Sequence, residues 1–376
     1  MSTSLSKIIF AGGGTGGHVY PALATIEALK KAGNFDILYI GGYRGIEKEI
    51  LPGQSIAFKI IWISGFQRYF TLQNFLFFLK LFISLIQSTI ILLRYKPDVV
   101  VGTGGYVSGP VLNMAAKLGY PTVILEQDSY PGITTRLLAR YVDVICVPYA
   151  GVDQHLKKIN GKVVVTGNPV RNSLKLVEKA QALKTWQFDP DQPVVSVFGG
   201  SQGAEAVNAV IAQIAGEFIK DYQIQILWQT GRKNFEVYQQ SEIGQNKNIL
   251  LKAYIEEMDL AYSAADIIIS RAGAITLAEL ALAGKPCILV PYPHAAANHQ
   301  EKNAVAIEQA GAAMVVREGD HFKDDMIIAL KTLLDKPQLH TQMAESWQKI
   351  RQPEAAQKVV TEILQLMEGN NGHPAR

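Results

Sequence analysis

Along most of this chain, short apolar and β-branched runs alternate with longer stretches of helical periodicity, and that alternation leaves few folds open. Strands are expected at Ile8–Ala11, Ile37–Ile40, Phe58–Ile61, Val99–Val101, Thr122–Leu125, Val144–Val147 and Val163–Thr166. A second series is expected at Val194–Phe198, Gln225–Gln229, Ile249–Lys252, Ile267–Ser270, Cys287–Val290 and Ala313–Val316. Runs this short and this continuously apolar suit parallel strands covered by helices on both faces. The fold class is therefore α/β, with two Rossmann-like doubly wound domains facing a cleft. The turn-rich Gly167-Asn168-Pro169-Val170-Arg171 places the boundary between domains at 1–167 and 168–352. A last helix is expected at about 353–366, and a disordered tail at 367–376.

Three glycine-rich loops follow strands and precede helices. They are Gly12-Gly13-Gly14-Thr15-Gly16-Gly17-His18, Gly102-Thr103-Gly104-Gly105-Tyr106 and Gly199-Gly200-Ser201-Gln202-Gly203-Ala204. Glycine lets backbone approach a ligand closely, and the helix start beyond it offers N–H donors and a positive dipole end. That combination favours a phosphate. His18 falls near a helix expected to begin by Pro21, where the dipole disfavours imidazolium; a neutral ring there suits a general base. In the second half, Ser270-Arg271-Ala272-Gly273-Ala274-Ile275-Thr276-Leu277-Ala278-Glu279 runs from strand end to helix. Its first amides suit a phosphate, and Glu279, over one turn further, suits ribose hydroxyls. Pro291-Tyr292-Pro293-His294 and Asn298-His299-Gln300 supply donors for a sugar.

The net charge of +3, with no dense Lys/Arg block, argues against nucleic acid as a partner. Cys146 and Cys287 sit far apart in strand-like runs and read as buried thiols of a reducing compartment. The polar start, Met1 to Lys7, carries no secretory signal pattern, so a cytosolic protein is expected. A dinucleotide oxidoreductase would want an acid at the end of the second strand, which ends instead in Gly41-Gly42.

One segment departs from the pattern. Between Phe75 and Leu93, 14 of 19 residues are apolar, enough in length for a membrane span. Lys80, Ser84, Gln87 and Ser88 form a polar stripe at helical spacing, which favours an amphipathic helix instead. It reads either as a helix covering the first sheet, or as one whose outer face, with Phe66, Tyr69 and Phe70, also meets a membrane. Arg68, Lys80, Arg94 and Lys96 would face anionic head groups.

The constellation resembles the MurG family of glycosyltransferases over almost the whole chain, from about Lys7 to Leu366. The motifs that carry it are GGTGGHVYPALA at Gly13–Ala24, GGYVSGP at Gly104–Pro110, GNPVR at Gly167–Arg171, GGSQGA at Gly199–Ala204 and SRAGAITLAEL at Ser270–Leu280. The resemblance implies a GT-B fold with the donor in the C-terminal half and the acceptor in the N-terminal half. The final helix would cross back to the first domain. The implied reaction is inverting transfer of N-acetylglucosamine from UDP-N-acetylglucosamine to the C4 hydroxyl of an undecaprenyl-linked muramyl-pentapeptide, in peptidoglycan synthesis. It also implies a peripheral enzyme on the cytoplasmic face of the plasma membrane, within a cell-wall or division complex. An epimerase of the same architecture would have no use for the aromatic cluster. A binding module without catalysis would not need His18, Glu279 and Gln300 together.

Residue by residue, the resemblance implies that Arg171, Ser201 and the amides of Gln202 and Gly203 bind the donor diphosphate. Thr15, Gly16 and Gly17 lie on the donor side of the first loop. Ala274, Ile275 and Thr276 would hold the α-phosphate, Tyr254 and Ile255 would flank the uracil, and Glu279 would take the ribose. Gln300 would meet the sugar, with His299 where the family often has glutamine. Tyr106, Glu126 and Gln127 would line the acceptor side. Asp128 stands where the family often has asparagine, and either His18 or Asp128 would be the base. No cofactor and no metal are expected: Asp189-Pro190-Asp191 spells a D-x-D motif but precedes its strand and reads as a linker turn.

Overall fold

The computed structural model describes residues 5–43, 45–65, 72–171, 174–200 and 203–370; of 72–75 and 370 it describes the backbone alone. The chain forms two compact units, Met1–Asn172 with Gln352–Arg376, and Ser173–Arg351.

The first unit is built on seven strands: β1 Ser6–Ala11, β2 Phe35–Gly42, β3 Ala57–Ile61, β4 Val99–Gly102, β5 Thr122–Leu125, β6 Val144–Val147 and β7 Lys162–Val165. They form one sheet in the order β3-β2-β1-β4-β5-β6-β7, every pair parallel. The central strand shows why no polar alternation was visible in the sequence. Ile8 and Phe10 point into one core with Leu29, Tyr39, Val101 and Ile363. Ile9 and Ala11 point into another with Leu38, Val100, Val111 and Leu112. Period-two alternation persists, but both faces are dry.

The second unit carries β8 Val194–Phe198, β9 Gln225–Gln229, β10 Ile249–Lys252, β11 Ile267–Ser270, β12 Cys287–Leu289 and β13 Met314–Val315. Their order is β10-β9-β8-β11-β12-β13, again all parallel. In both units the strand order reverses direction beside the first strand, the point where open α/β sheets gather ligands.

The first helix begins at Gly16, before Pro21 as expected, and runs to Ala32 with Thr15 as N-cap. Two glycines, poor helix formers, hide its first turn from a propensity reading. Three expectations need adjustment. The last helix spans Ala355–Asn370, so residues 367–370 are helical rather than part of a tail; residues 371–376 lie outside those described. This helix belongs to the first unit, with Val359 and Ile363 fully buried in the Ile8–Phe10 core and Glu362 paired with Lys162 at 2.8 Å. The first stretch of the first unit runs to position 172, five residues past the boundary expected from the glycine turn, so Arg171 belongs to the first unit.

The third adjustment concerns the apolar segment, which forms a helix at Leu72–Tyr95 whose amphipathicity is turned around. Its polar stripe faces inward. Ser84 and Ser88 are fully buried, each hydroxyl donating to a carbonyl of its own helix at 2.7 Å. Gln87 Oε1 accepts the Trp62 amide at 2.7 Å, and Lys80 Nζ donates to Ser64 Oγ at 3.1 Å. The outward face carries Leu76, Phe78, Leu79, Phe82, Ile86, Ile90 and Leu93, all exposed. Phe66, Arg68, Tyr69 and Phe70 lie outside the described residues.

Candidate functional site

In the first unit, the loops after β1, β4 and β5 meet at the carboxyl ends of the strands. His18 sits in the first turn of the helix Gly16–Ala32, just past Thr15 and Gly17. Its Nδ1 is 3.2 Å from the Gly13 carbonyl and 3.2 Å from Thr15 Oγ1. The imidazole lies against Gly104 and Gly105, where a Cβ on Gly104 would stand 2.5 Å from His18 Cδ2. Both glycines have positive φ, 95° and 73°, so the turn entering the helix Gly105–Lys117 requires them twice over. Tyr106 follows, half-buried, its ring packed on Gly14 and Gly42. Burial and the nearby Glu47 carboxylate push its phenol up from the ordinary value.

The loop after β5 is organised by Glu126, which is buried. Its Oε1 accepts the amides of Gln127 and Asp128 at 2.9 and 3.0 Å, and its Oε2 accepts that of Gly132 at 2.9 Å. Burial, then the Asp128 charge, raises its pKa above the ordinary carboxyl range. Glu126 thus shapes the loop from beneath. Gln127 is buried as well, its Nε2 donating to the Leu125 carbonyl at 2.8 Å while its own carbonyl accepts Asn168 Nδ2 at 2.8 Å. Asp128 is the more open of the three, at the loop's rim. Arg171 stacks its guanidinium over the Tyr20 ring at 5.9 Å, beside the helix that carries His18.

In the second unit the helix Ala274–Ala283 starts from Gly273 with no acidic residue in its first turn. The Leu277 amide donates to the Gly273 carbonyl at 2.9 Å, closing the first turn, and helix geometry points the amides of that turn toward its N-terminal end. Glu279 is buried in the second turn, and Tyr262 donates its hydroxyl to Glu279 Oε2 at 2.9 Å. In the loop after β8 the Gly203 amide donates to the Gly200 carbonyl at 3.0 Å. The helix beyond it, Glu205–Tyr222, opens with an acid. Ser201 and Gln202 lie outside the described residues.

The Ile255 side chain is core, and its amide donates to Gln229 Oε1 at 3.0 Å. Tyr254 is half-buried, with the Arg232 guanidinium 5.5 Å from its ring. Gln300 Oε1 accepts the Tyr292 amide at 3.0 Å, and His299 Nδ1 binds the Ala296 carbonyl at 2.6 Å. Both therefore pin the loop that runs from β12 to the helix His299–Gln309. Arg271 pairs with Glu318 beneath the same loop and donates to the Val290 carbonyl at 3.2 Å. Asp189 and Asp191 form a turn, the Asp191 amide donating to Asp189 Oδ1 at 3.0 Å.

Sequence reasoning missed Glu47 and Tyr262. Glu47 is fully buried under the first glycine loop, accepting the amides of Gly42 at 2.8 Å and Gly14 at 3.0 Å. Its signal was the glycines crowded around it, since a Cβ at Gly13 or Gly45 would run into the Glu47 carboxylate. Tyr262, inside the short helix Met258–Ala264, gave no local signal at all.

Family comparison agrees with this arrangement. The glycosyltransferase family 28 N-terminal domain matches residues 8–147, and the family 28 C-terminal domain matches residues 194–359. A UDP-N-acetylglucosamine–N-acetylmuramyl-(pentapeptide) pyrophosphoryl-undecaprenol N-acetylglucosamine transferase from a Thermoanaerobacter species is 42% identical over 358 residues, covering 94% of this chain and 98% of its own. The protein of the same name from Christiangramia forsetii is 39% identical over 364 residues, covering 96% and 98%. The crystal structure of Acinetobacter baumannii MurG superposes with a TM-score of 0.79 at 29% identity, over 96% of this chain and 99% of that one. Two Rossmann-like parallel-sheet units, matches to both halves of family 28 and relatives of this identity over nearly the full length together assign the chain: it belongs to glycosyltransferase family 28, among the MurG enzymes.

Proposed function

We propose that this chain transfers N-acetylglucosamine from UDP-N-acetylglucosamine to the C4 hydroxyl of an undecaprenyl-pyrophosphoryl-linked muramyl-pentapeptide, at the cytoplasmic face of the plasma membrane. The single observation that carries the donor half is the helix Ala274–Ala283. A glycine N-cap, acid-free first turn and buried Glu279 in the second turn supply, in one element, amides for a phosphate and a carboxylate for ribose hydroxyls. Tyr262 holds one carboxylate oxygen in place at 2.9 Å. Gln300 and His299, anchored at the start of the next helix, stand on the sugar side.

Acceptor chemistry is assigned to the first unit. The acceptor hydroxyl attacks the anomeric carbon, a C–O bond forms, and the bond from that carbon to the UDP oxygen breaks with inversion. The hydroxyl proton passes to His18 or Asp128. Charge growing on the departing diphosphate is met by oriented amides and by Arg171, without a cation. The lipid of the acceptor requires the enzyme to work at a bilayer surface, and the outward face of the helix Leu72–Tyr95 supplies one. No acid occurs between Leu72 and Tyr95, and Arg94 is exposed near the helix end, which suits anionic head groups.

The test is a transfer assay with radiolabelled UDP-N-acetylglucosamine and the lipid-linked acceptor, run on the native chain, His18→Ala and Asp128→Asn. Product forms with the native chain, and one of the two variants falls by orders of magnitude. Label transfer from UDP-glucose in preference, or near-native turnover in both variants, rejects the donor or the base assignment respectively.

A further inference from the structure

Both polar atoms of the peptide unit joining Gly13 to Gly14 are engaged by ionisable side chains. The Gly14 N–H donates to Glu47 Oε2 at 3.0 Å, and the carbonyl of the same peptide, on Gly13, faces His18 Nδ1 at 3.2 Å. Glu47 is fully buried, and its second oxygen accepts the Gly42 amide at 2.8 Å, so the carboxylate is fixed by two donors from different segments. A carbonyl oxygen can only accept. A hydrogen bond at that contact therefore needs the proton on Nδ1, and with it there Thr15 Oγ1, also at 3.2 Å, accepts beside the carbonyl. A neutral ring protonated at Nδ1 has its lone pair on Nε2.

The surrounding loops are cut to fit this arrangement. A Cβ on Gly105 would collide with the Gly13 carbonyl and stand 3.1 Å from His18 Nδ1. One on Gly104 would stand 3.1 Å from Nε2. Cβ atoms on Gly13 or Gly45 would meet the Glu47 carboxylate. Glycine at these four positions leaves room for one carboxylate, one peptide and one imidazole.

We infer that Glu47 is a positioning residue that acts on His18 through the Gly13–Gly14 peptide. A hydrogen bond to an anion holds the peptide plane more firmly than a neutral one. Drawing on the N–H also strengthens the carbonyl at its other end as an acceptor. In hydrolase triads a carboxylate bonds the histidine Nδ1–H directly and sets its tautomer. Here one peptide is interposed, and the outcome is the same: the ring keeps its Nδ1 proton and presents Nε2 to the proton leaving the acceptor hydroxyl. The inference rests on the proposed reading of His18 as base.

The test reads the tautomer directly. The full chain, labelled with ¹⁵N-histidine, is examined by NMR on the alkaline side of the ring's titration, with His18 identified by the signals lost in His18→Ala. The native chain shows protonated Nδ1 and unprotonated Nε2. In Glu47→Gln, an amide of the same size that turns an NH₂ donor toward one of the two N–H groups, the signals move toward a tautomer mixture. The turnover number falls about 10- to 100-fold, as for other lost outer partners of a working histidine, while the Michaelis constant for UDP-N-acetylglucosamine stays within about twofold. An unchanged tautomer in a folded Glu47→Gln chain overturns the inference. So does an Nε2-protonated ring in the native chain, a result that needs no variant to fold. Near-native turnover of His18→Ala would instead remove the base assignment, with the tautomer shift in Glu47→Gln still reporting the relay.

Discussion

The outward face of the helix Leu72–Tyr95 makes a quantitative prediction about membrane binding. Phe78 and Phe82 are 66% and 62% exposed, the two largest apolar groups on that face. A phenylalanine offers roughly 200 Å² of surface, so each ring leaves about 130 Å² in water. At about 25 cal/mol per Å², complete removal of that area from water gives about 3 kcal/mol per ring. A helix lying at the head-group boundary buries about half of it, hence about 1.5 kcal/mol, or roughly tenfold in partitioning. The double variant Phe78→Ser, Phe82→Ser should therefore lose about 100-fold in the partition coefficient, measured by sedimentation with phosphatidylglycerol-containing vesicles. Because both rings are exposed, the thermal midpoint should move by no more than about 2 °C. Phe77 is the contrasting control. It is partly buried and packed on the core of the first unit, so Phe77→Ser should lower the midpoint instead. A double-variant loss of less than about threefold, with an unchanged midpoint, refutes the membrane reading of this face.

Other predictions follow from the site. Glu279→Gln should weaken UDP binding by about 10- to 100-fold in a calorimetric titration, the cost of a charged hydrogen bond, and should affect 2′,3′-dideoxy-UDP far less; equal losses for both ligands would argue against a ribose contact. Excess chelator should leave sugar transfer intact, and loss of activity restored by a divalent cation would overturn the amide-only account of the leaving group. Glu126 gives a pH signature. Its folded pKa lies above the ordinary 4.5, so its protonated form is favoured in the fold, and the associated stability is full below about pH 4.5 and lost as pH rises through the folded value. The stability of Glu126→Gln relative to the native chain should accordingly be better at pH 7.5 than at pH 4, and equal differences at both would contradict the burial argument.

Much of this was legible in the residues because both sheets are parallel and dry on both faces. Each strand then appears as an unbroken apolar run, and the loop beyond it as a cluster of glycines. The helix start at Gly273-Ala274, proposed to hold a phosphate, could be located in the same way, since N-terminal amides belong to the backbone. What could not be read depends on tertiary neighbours. The resemblance put Glu126 and Gln127 on the acceptor side, but no local pattern shows that both are buried or that Glu126 holds the amide of Asp128. Glu47 pairs with Gly14 across 33 positions, and no local pattern carries that pairing. The helix Leu72–Tyr95 misled most instructively: periodicity located its polar stripe but could not say which side faced the protein.

The return of the last helix has a consequence for how this protein comes into being. The Ile8–Phe10 core closes only when Val359 and Ile363 arrive, at the far end of the polypeptide. On the ribosome the first-made half must therefore wait, one side of its sheet only partly covered by the helix Gly16–Ala32, until this last helix is made, while the later-made half can finish ahead of it. A stop codon anywhere before position 355 would thus damage the amino-terminal half first, and truncated products should be cleared by proteases beginning there.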